Sequence, residues 1–352
     1  MFLDEIHVTF YADTAAAILS LGVLVLCSRG VIKDSFLSRL FSLLLAVTFF
    51  LAIVDAGTYA WKYKEFSGAV LLAMGFRTLH EIILDLIIVL WLLFVYYKVY
   101  HSRDGIKRKF AKYLIPLFVL MVLDIINIFT GIRFYYDDQV VFHTTMFTVP
   151  YNLVRYFYLL ACIIQIGVHK SRGNDLKFFD IGGFIVPIVV AGLVSNLTPY
   201  SCITLGIAIG LCNVYAGIIN EQSFLDRQTG FFNRYYLKYL KSDIRRKVFY
   251  PKSGMIYRLE DPEDMQAFSG LLSPILPKKC EVVSYAEDTV IMLAEISKKS
   301  ALHVMTEDVN IAVEGYNENH PDKPMTVTID TVFKKNKETE KGFYDMFIRR
   351  IG

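Results

Sequence analysis

The chain has 352 residues, of which 54% are hydrophobic, and a formal net charge of +3. That hydrophobic fraction exceeds the roughly 45–50% typical of soluble domains, and so small a net charge excludes a strongly basic nucleic-acid-binding protein. The apolar runs are concentrated in residues 1–220, whereas residues 221–352 are charged and mixed. We therefore predict a helical membrane domain, 1–220, followed by a small soluble domain, 221–352.

Seven apolar segments of the first part are long enough to cross a bilayer core, which takes about 20 residues in a helix. They cover approximately residues 11–28, 38–60, 76–98, 113–132, 149–168, 181–199 and 202–220. The acidic start MFLDEIHVTF does not resemble a cleavable signal peptide, so the first segment is expected to stay in the protein.

Lysine and arginine are distributed unevenly between the connecting loops. The loops after the first, third and fifth segments hold Arg29, Lys33, Arg39, Lys98, Arg103, Lys107, Arg108, Lys109, Lys112, Lys170, Arg172 and Lys177. The opposite loops hold Lys62, Lys64 and Arg133. Because short cytoplasmic loops carry an excess of basic residues, we predict the N-terminus outside the cell and residues 221–352 in the cytoplasm.

Polar side chains interrupt these segments, nearly all in the predicted outer half. They are Asp55, Arg77, His80, Glu81, Asp85, Asp124, Asn127 and Arg155. Ionisable groups are costly in lipid, so these should face the bundle interior and pair with one another. Two interpretations are open. One is a structural network pairing Arg77 and Arg155 with Asp55, Glu81, Asp85 and Asp124, and the other is a cavity that binds an unknown small ligand from outside. Transport is less favoured, because no internal repeat with paired Gly or Pro interruptions is visible.

The soluble part begins with DRQTGFFNRYYL at residues 226–237. Helix caps and a glycine turn explain these residues singly. In combination they resemble the start of the GGDEF (diguanylate cyclase) family, D-x-L-T-G-L-x-N-R-R. The matching positions are Asp226, Thr229, Gly230, Asn233 and Arg234, while Gln228 replaces the usual leucine. The resemblance implies an α/β domain of cyclic di-GMP signalling on the inner face of a bacterial cytoplasmic membrane.

The motif that names this family aligns with a degenerate segment. VVSYAEDTVIMLAE at 282–295 has the form of a strand, a tight turn and a second strand, and MTVTIDTVF at 325–333 resembles a later strand. The positions corresponding to G-G-D-E-F are Ala286, Glu287, Asp288, Thr289 and Val290. The family joins two GTP molecules with divalent metals held by carboxylates, and its glycines let the backbone approach phosphate. Since both glycines and one carboxylate are replaced, we predict a domain without catalysis, metal or cofactor.

The other family elements are missing as well. The segment GMIYRLEDPEDMQAF at 254–268 offers only Arg258 or Glu260 near the family's metal position. We predict that the carboxylates of Glu260, Asp261, Glu263 and Asp264 form a solvated turn and a helix start. The inhibitory product site would fall on Pro277 and Cys280 and is absent. The five cysteines lack a C-x-x-C spacing, which favours free thiols over a metal site.

These features predict a receptor-like membrane protein. Its outer-half bundle would sense a ligand, and its degenerate GGDEF-like domain would relay the event by protein contact, as a homodimer or with an active cyclase. The lipid bilayer is an expected partner and nucleic acid is not. Three alternatives stay open: a diguanylate cyclase with an altered site that uses GTP and Mg²⁺, a regulator that binds nucleotide without turnover, and a transporter or structural membrane protein.

Overall fold

A computed structural model describes most of the chain. The described residues are 2–29, 32, 35–61, 68–100, 103–138, 140–171, 178–198, 200–242, 249–277, 280–335 and 339–351. They form two compact units, residues 1–220 and residues 221–352. The predicted orientation rests in part on basic loop residues that lie outside the described residues. These are Lys33, Lys62, Lys64, Arg172 and Lys177.

The first unit consists mainly of long helices. Within the described residues these are α1 (Phe2–Ser28), α2 (Ser35–Ala60), α3 (Ala69–Tyr100), α4 (Arg103–Thr130), α5 (Thr148–Ser171), α6 (Ile181–Leu197) and α7 (Ile203–Ser223). Five of them, α1, α2, α3, α5 and α7, are long and apolar enough to cross a membrane. The apolar stretches of α4 and α6 are shorter, Leu114–Thr130 and Ile181–Ser195. Each predicted segment is therefore a helix. Among the described helices, five of the seven predicted spans have an apolar stretch long enough for a full crossing.

A short antiparallel hairpin that the sequence did not predict lies between α4 and α5. Its strands are β1 (Phe134–Tyr136) and β2 (Phe142–Thr144). Asn127 fixes the hairpin: its Nδ2 donates to the Phe134 carbonyl at 3.0 Å, and its Oδ1 accepts from the Arg133 N–H at 2.7 Å. Asn127 thus bonds the backbone of the hairpin rather than a charged group of the bundle.

Aromatic packing forms the centre of the first unit. Trp91 of α3 is buried and stacks on Phe184 of α6 with ring centroids 3.5 Å apart. Helix α7 approaches α6 closely at two glycines. A Cβ on Gly206 would lie 2.5 Å from the Ala191 Cβ, and one on Gly210 would lie 2.8 Å from the Phe184 carbonyl oxygen. Small residues therefore allow the last two helices to pack backbone against backbone.

The second unit is an α/β domain. Its strands are β3 (Phe232–Asn233), β4 (Ser253–Leu259), β5 (Cys280–Ala286), β6 (Thr289–Ala294) and β7 (Val327–Phe333). Its helices are α8 (Arg234–Ser242), α9 (Met265–Leu272), α10 (Lys299–Asn319) and α11 (Glu340–Ile351). The sheet order is β3-β5-β6-β4-β7, with β3 parallel to β5 and the other pairs antiparallel.

Strand β4 sends alternate side chains to two faces of this sheet. Met255, Tyr257 and Leu259 belong to the apolar core that contains residues of α9 and α10. Gly254 and Arg258 instead face α11, whose Phe347 ring and last carbonyl groups they approach. The domain thus packs helices on both faces of one sheet, which gives it the α/β architecture that the resemblance implied.

Candidate functional site

Glu81 of α3 is the centre of a buried ion-pair cluster in the first unit. Its Oε1 lies 2.6 Å from Arg77 Nη2, and its Oε2 lies 2.6 Å from both Arg133 Nη2 and Arg155 Nη1. Arg155 Nε also donates to Asp85 Oδ1 at 2.6 Å, and Arg133 Nη1 pairs with Asp124. The cluster thus joins three guanidinium groups to three carboxylates.

Arg133 is the member that sequence reasoning missed. It precedes the β1–β2 hairpin, and its position just beyond an apolar segment assigned it to an outer loop. Because the chain folds back over the bundle there, the Arg133 side chain is only 3% exposed. Its partner Asp124 was predicted to pair with Arg77 or Arg155; the direct ion pair is with Arg133, while Arg155 acts on Asp124 electrostatically.

Asp55 interacts with Arg77 electrostatically, but in the described part of the chain its direct contacts are with other groups. Its Oδ2 accepts from Ser201 Oγ at 2.9 Å and from Thr204 Oγ1 at 3.1 Å, and its Oδ1 lies 3.5 Å from His80 Nε2. Asp13 of α1, which sequence reasoning passed over, is buried beside Asp55. A charged residue within the first apolar run was the available indication of this second polar group.

A cavity of about 560 Å³ adjoins the ion-pair cluster. Arg77, His80, Glu81, Arg133 and Arg155 line its polar part. Its apolar part is lined by residues of four helices, among them Leu84, Ile87, Trp91, Leu159, Phe184, Ile188 and Ile207. Its volume lies within the range of about 300–1,000 Å³ that is usual for small-molecule sites. Direct ion pairs and a cavity thus occur together, and the ion pairs form part of the cavity wall.

The opening motif of the second unit forms a tight turn. Asp226 Oδ1 accepts from the N–H of Gln228 at 3.0 Å and from the N–H and Oγ1 of Thr229, each at 2.9 Å. Gly230 follows with φ of +75°, a conformation that side chains with a Cβ rarely adopt. These residues fold the chain back after α7, which gives three of the five motif positions a structural function.

Asn233 connects two helices through this turn. Its Nδ2 donates to the carbonyl oxygen of Ser223, the last residue of α7, at 2.8 Å. Its Oδ1 accepts from the N–H of Tyr235 in the first turn of α8 at 3.0 Å. Asn233 therefore caps the end of one helix and the start of the next. Arg234, the fifth motif position, is exposed and lies against the Tyr235 ring.

The segment aligned with the family's naming motif is a β-hairpin with a two-residue turn. Ala286 ends β5, Glu287 and Asp288 form the turn, and Thr289 begins β6, followed by buried Val290. The predicted strand, turn and strand are therefore present. Thr289 Oγ1 donates to the carboxylate of Asp288 at 2.8 Å, and the Asp288 carbonyl accepts from the Leu259 N–H at 2.8 Å. One oxygen of this carboxylate is thus already bonded within the hairpin.

Arg258 lies beside this hairpin, paired with Thr289 in the sheet. Its Nη2 donates to the Arg350 carbonyl oxygen at 2.7 Å, at the C-terminal end of α11. A cation at a helix C-terminus is favourable because the last carbonyl groups are unpaired and carry partial negative charge. The side chain near the expected metal position therefore anchors a helix. Within the described residues, no group of three or more His, Cys, Asp or Glu side chains is arranged to hold a metal ion.

The acidic segment after β4 forms the predicted turn and helix start, but Asp264, which was predicted to be solvated, is buried. Asp261 Oδ1 accepts from the Glu263 N–H at 2.9 Å and caps a short 3-10 turn, Pro262–Asp264, that leads into α9. Lys323 Nζ lies 2.9 Å from Asp261 Oδ2 and 2.7 Å from Glu263 Oε2. The hydrogen bonds from Lys323 and from the Glu263 backbone hold the pKa of Asp261 below its usual value.

This ion pair predicts a pH-dependent contribution to stability. Because the pKa of Asp261 is lower in the folded state, its contribution is complete above the unfolded-state pKa and is lost as the pH falls through the folded-state pKa. Lys323→Gln should therefore lower the unfolding temperature slightly at neutral pH and leave it unchanged in acid. The control is Lys252→Gln, the same change at another exposed lysine. A difference between Lys323→Gln and the parent that persists in acid contradicts this account.

Comparisons with known proteins do not assign this chain to a family. No family model matches the sequence, and no curated protein matches it. Among solved structures, the LapD S helix-GGDEF-EAL fragment of Vibrio cholerae bound to c-di-GMP has 14% identity and a TM-score of 0.29, over 35% of this chain and 32% of that one. Its apo form has 12% identity and a TM-score of 0.29, over 37% and 34%. The FimX GGDEF domain of Pseudomonas aeruginosa has 13% identity and a TM-score of 0.25, over 36% and 90%.

Each of these three solved structures contains a GGDEF domain. The matched region spans about a third of the length of the two LapD fragments. At these identities and TM-scores the similarity carries no argument about ligand, activity or partner.

Proposed function

We propose that this chain is a membrane sensor whose ligand-binding bundle controls a GGDEF-like domain without catalytic activity. The observation that carries the proposal is the 560 Å³ cavity with a wall of buried guanidinium groups. A purely structural ion-pair network would need no such space beside it. Buried charges in a membrane bundle also mark functional sites by default, because their desolvation is costly.

The proposed topology has seven spans, with the N-terminus outside and the second unit in the bacterial cytoplasm. Five helices are long and apolar enough to cross, and α4 and α6 supply the remaining two crossings. An odd number of crossings agrees with the excess of lysine and arginine in alternate loops. The cavity would then open toward the extracellular side, where a small ligand could enter.

Helix α7 is the proposed connection between ligand and output. Ile203 and Ile207 line the cavity, and the same helix continues to Ser223. Asn233 bonds the end of this helix and the start of α8. A ligand that displaces α7 therefore displaces the turn at residues 226–233, because the helix transmits the movement along its length.

The proposed output is protein contact, either between two copies of this chain or with an active cyclase. Three features support a lack of catalysis. Ala286 and Glu287 stand where glycines would admit phosphate, Thr289 bonds one oxygen of the Asp288 carboxylate, and Arg258 bonds the end of α11. Thr289 also stands where the family has its fourth-position carboxylate, which removes one of the groups that would hold a divalent metal.

An assay of GTP turnover tests the proposal. The full-length protein in lipid nanodiscs is incubated with GTP and Mg²⁺ or Mn²⁺, and cyclic di-GMP is measured by chromatography. We expect no product above that of an Asp288→Ala control. Product above the control overturns the inactive assignment in favour of a cyclase with an altered site. Calorimetric heat with GTP or cyclic di-GMP, without turnover, would instead establish a nucleotide-binding regulator.

A further inference from the structure

We propose that the cavity binds an amphiphilic organic anion, with a carboxylate at the arginine cluster and an elongated apolar body toward Trp91. This inference rests on the proposed sensing function and names the chemical class of its ligand. It follows from the placement of the charges, from the accessibility of the Arg77 guanidinium and from the length of the apolar wall.

The charges that face the cavity are not balanced. Three arginines line it, Arg77, Arg133 and Arg155, whereas Glu81 is the carboxylate among its described lining residues. Asp85 and Asp124, which balance the cluster as a whole, are not lining residues. A ligand in the cavity therefore meets guanidinium groups, while two of the three carboxylates lie behind them.

The hydrogen-bonding capacity of the wall also favours an anion. Both oxygens of Glu81 are taken by arginines at 2.6 Å, so a cationic ligand would find no free carboxylate oxygen there. The Arg77 side chain is the most accessible of the three arginine side chains, at 20% exposed against 3% for Arg133 and 11% for Arg155. Guanidinium groups donate and never accept, and a carboxylate only accepts, which makes these two groups complementary.

The apolar wall determines the shape of the rest of the ligand. On α3 the lining continues from Arg77 and Glu81 through Leu84, Ile87 and Ile88 to Trp91. At a rise of about 1.5 Å per residue, the ten steps from Glu81, the centre of the cluster, to Trp91 cover roughly 15 Å along the helix. An inorganic anion would leave most of this length unfilled. Since Trp91 stacks on Phe184 at the far end, an alkyl or aryl body of a carboxylic acid fits the geometry.

Fluorescence quenching can test this proposal directly. The chain has two tryptophans, so Trp61→Phe leaves Trp91 as the reporter. The full-length Trp61→Phe protein in phosphatidylcholine nanodiscs is titrated with 8-bromooctanoate, 8-bromooctanol and 8-bromooctylamine, whose bromine quenches a tryptophan that it touches. We expect the carboxylate to quench at concentrations at least about tenfold lower than the alcohol does. The reason is that a hydrogen bond to a charged group stabilises a complex more than one between neutral groups. Equal quenching by the carboxylate and the alcohol, or stronger quenching by the amine, overturns the proposal.

Chain length gives a second measurement. Unbrominated carboxylates of four to ten carbons should displace 8-bromooctanoate, and each added methylene should strengthen binding about fourfold until the cavity is filled. An affinity that does not depend on chain length would contradict an elongated apolar site.

Two variants locate the site. Arg77→Gln should weaken binding of the carboxylate and leave binding of the alcohol unchanged. Leu84→Phe, which leaves every charge in place, should weaken quenching by filling the apolar part, and Leu86→Phe on the same helix, outside the lining, should not. If Arg77→Gln does not fold, the comparison of Leu84→Phe with Leu86→Phe still shows whether the ligand occupies this cavity. Full quenching in Leu84→Phe places the ligand elsewhere and overturns the assignment.

Hydrogen exchange at residues 223–234 separates this proposal from the proposed function. Quenching without any change in exchange would support the ligand class and refute the relay through α7. No quenching by any carboxylate, together with a change in exchange caused by another compound, would refute the ligand class and support the relay.

Discussion

Glu81→Gln should lower the free energy of unfolding of the first unit by about 3–5 kcal/mol, the magnitude for removing one partner of a buried ion pair. The reason is that three guanidinium groups converge on this carboxylate at 2.6 Å. The remaining acids, Asp85 and Asp124, bind only one arginine each. The substitution therefore leaves positive charge that is buried and only partly compensated.

Titration with a denaturing detergent, followed by circular dichroism, measures this effect. Glu314→Gln makes the same change at an exposed position of α10 and serves as the control. We expect that control to unfold within about 0.5 kcal/mol of the parent, as is usual for surface substitutions. If Glu81→Gln is equally neutral, the ion pairs do not hold the bundle together, and the arginines must be compensated in another way.

Gly254→Ala should lower the free energy of unfolding of the second unit by about 1–3 kcal/mol, the usual cost of overpacking. A Cβ on Gly254 would lie 2.4 Å from Cε2 of the Phe347 ring and 3.0 Å from the Met292 carbonyl oxygen. Phe347 is fully buried, so its ring cannot move aside without disturbing the packing of α11 on the sheet. The strand and the helix would have to separate.

Gly270→Ala is the matched control for this substitution. Gly270 lies in α9, and a Cβ there would meet nothing within 4 Å. Since glycine within a helix costs about 0.5–1 kcal/mol relative to alanine, this variant should be neutral or stabilised. Limited proteolysis of the full-length protein at increasing temperature reports the stability of the second unit. Equal protection of both variants would contradict the proposed contact between β4 and α11.

The features that could be predicted from the sequence involve residues close together in the chain, and those that could not involve residues far apart in it. The helices of the first unit follow from runs of apolar residues, and the β5–β6 hairpin follows from two apolar strands around Glu287 and Asp288. Both depend on residues that are close in the chain. The pairing of Arg133 with Glu81 joins residues separated by 52 positions, and it requires a hairpin of two three-residue strands. Strands so short carry no recognisable pattern.

The sequence by itself determined the division into an apolar part and a mixed part, the positions of the helices and the candidate charges within them. These follow from local composition, because a helix in lipid must satisfy its own backbone and present apolar side chains. Only the tertiary structure decided which charges pair, that Asp55 bonds Ser201 and Thr204, and that a cavity adjoins Glu81. The physical reason is that pairing depends on which faces of distant helices meet, and periodicity within one helix does not specify its neighbour.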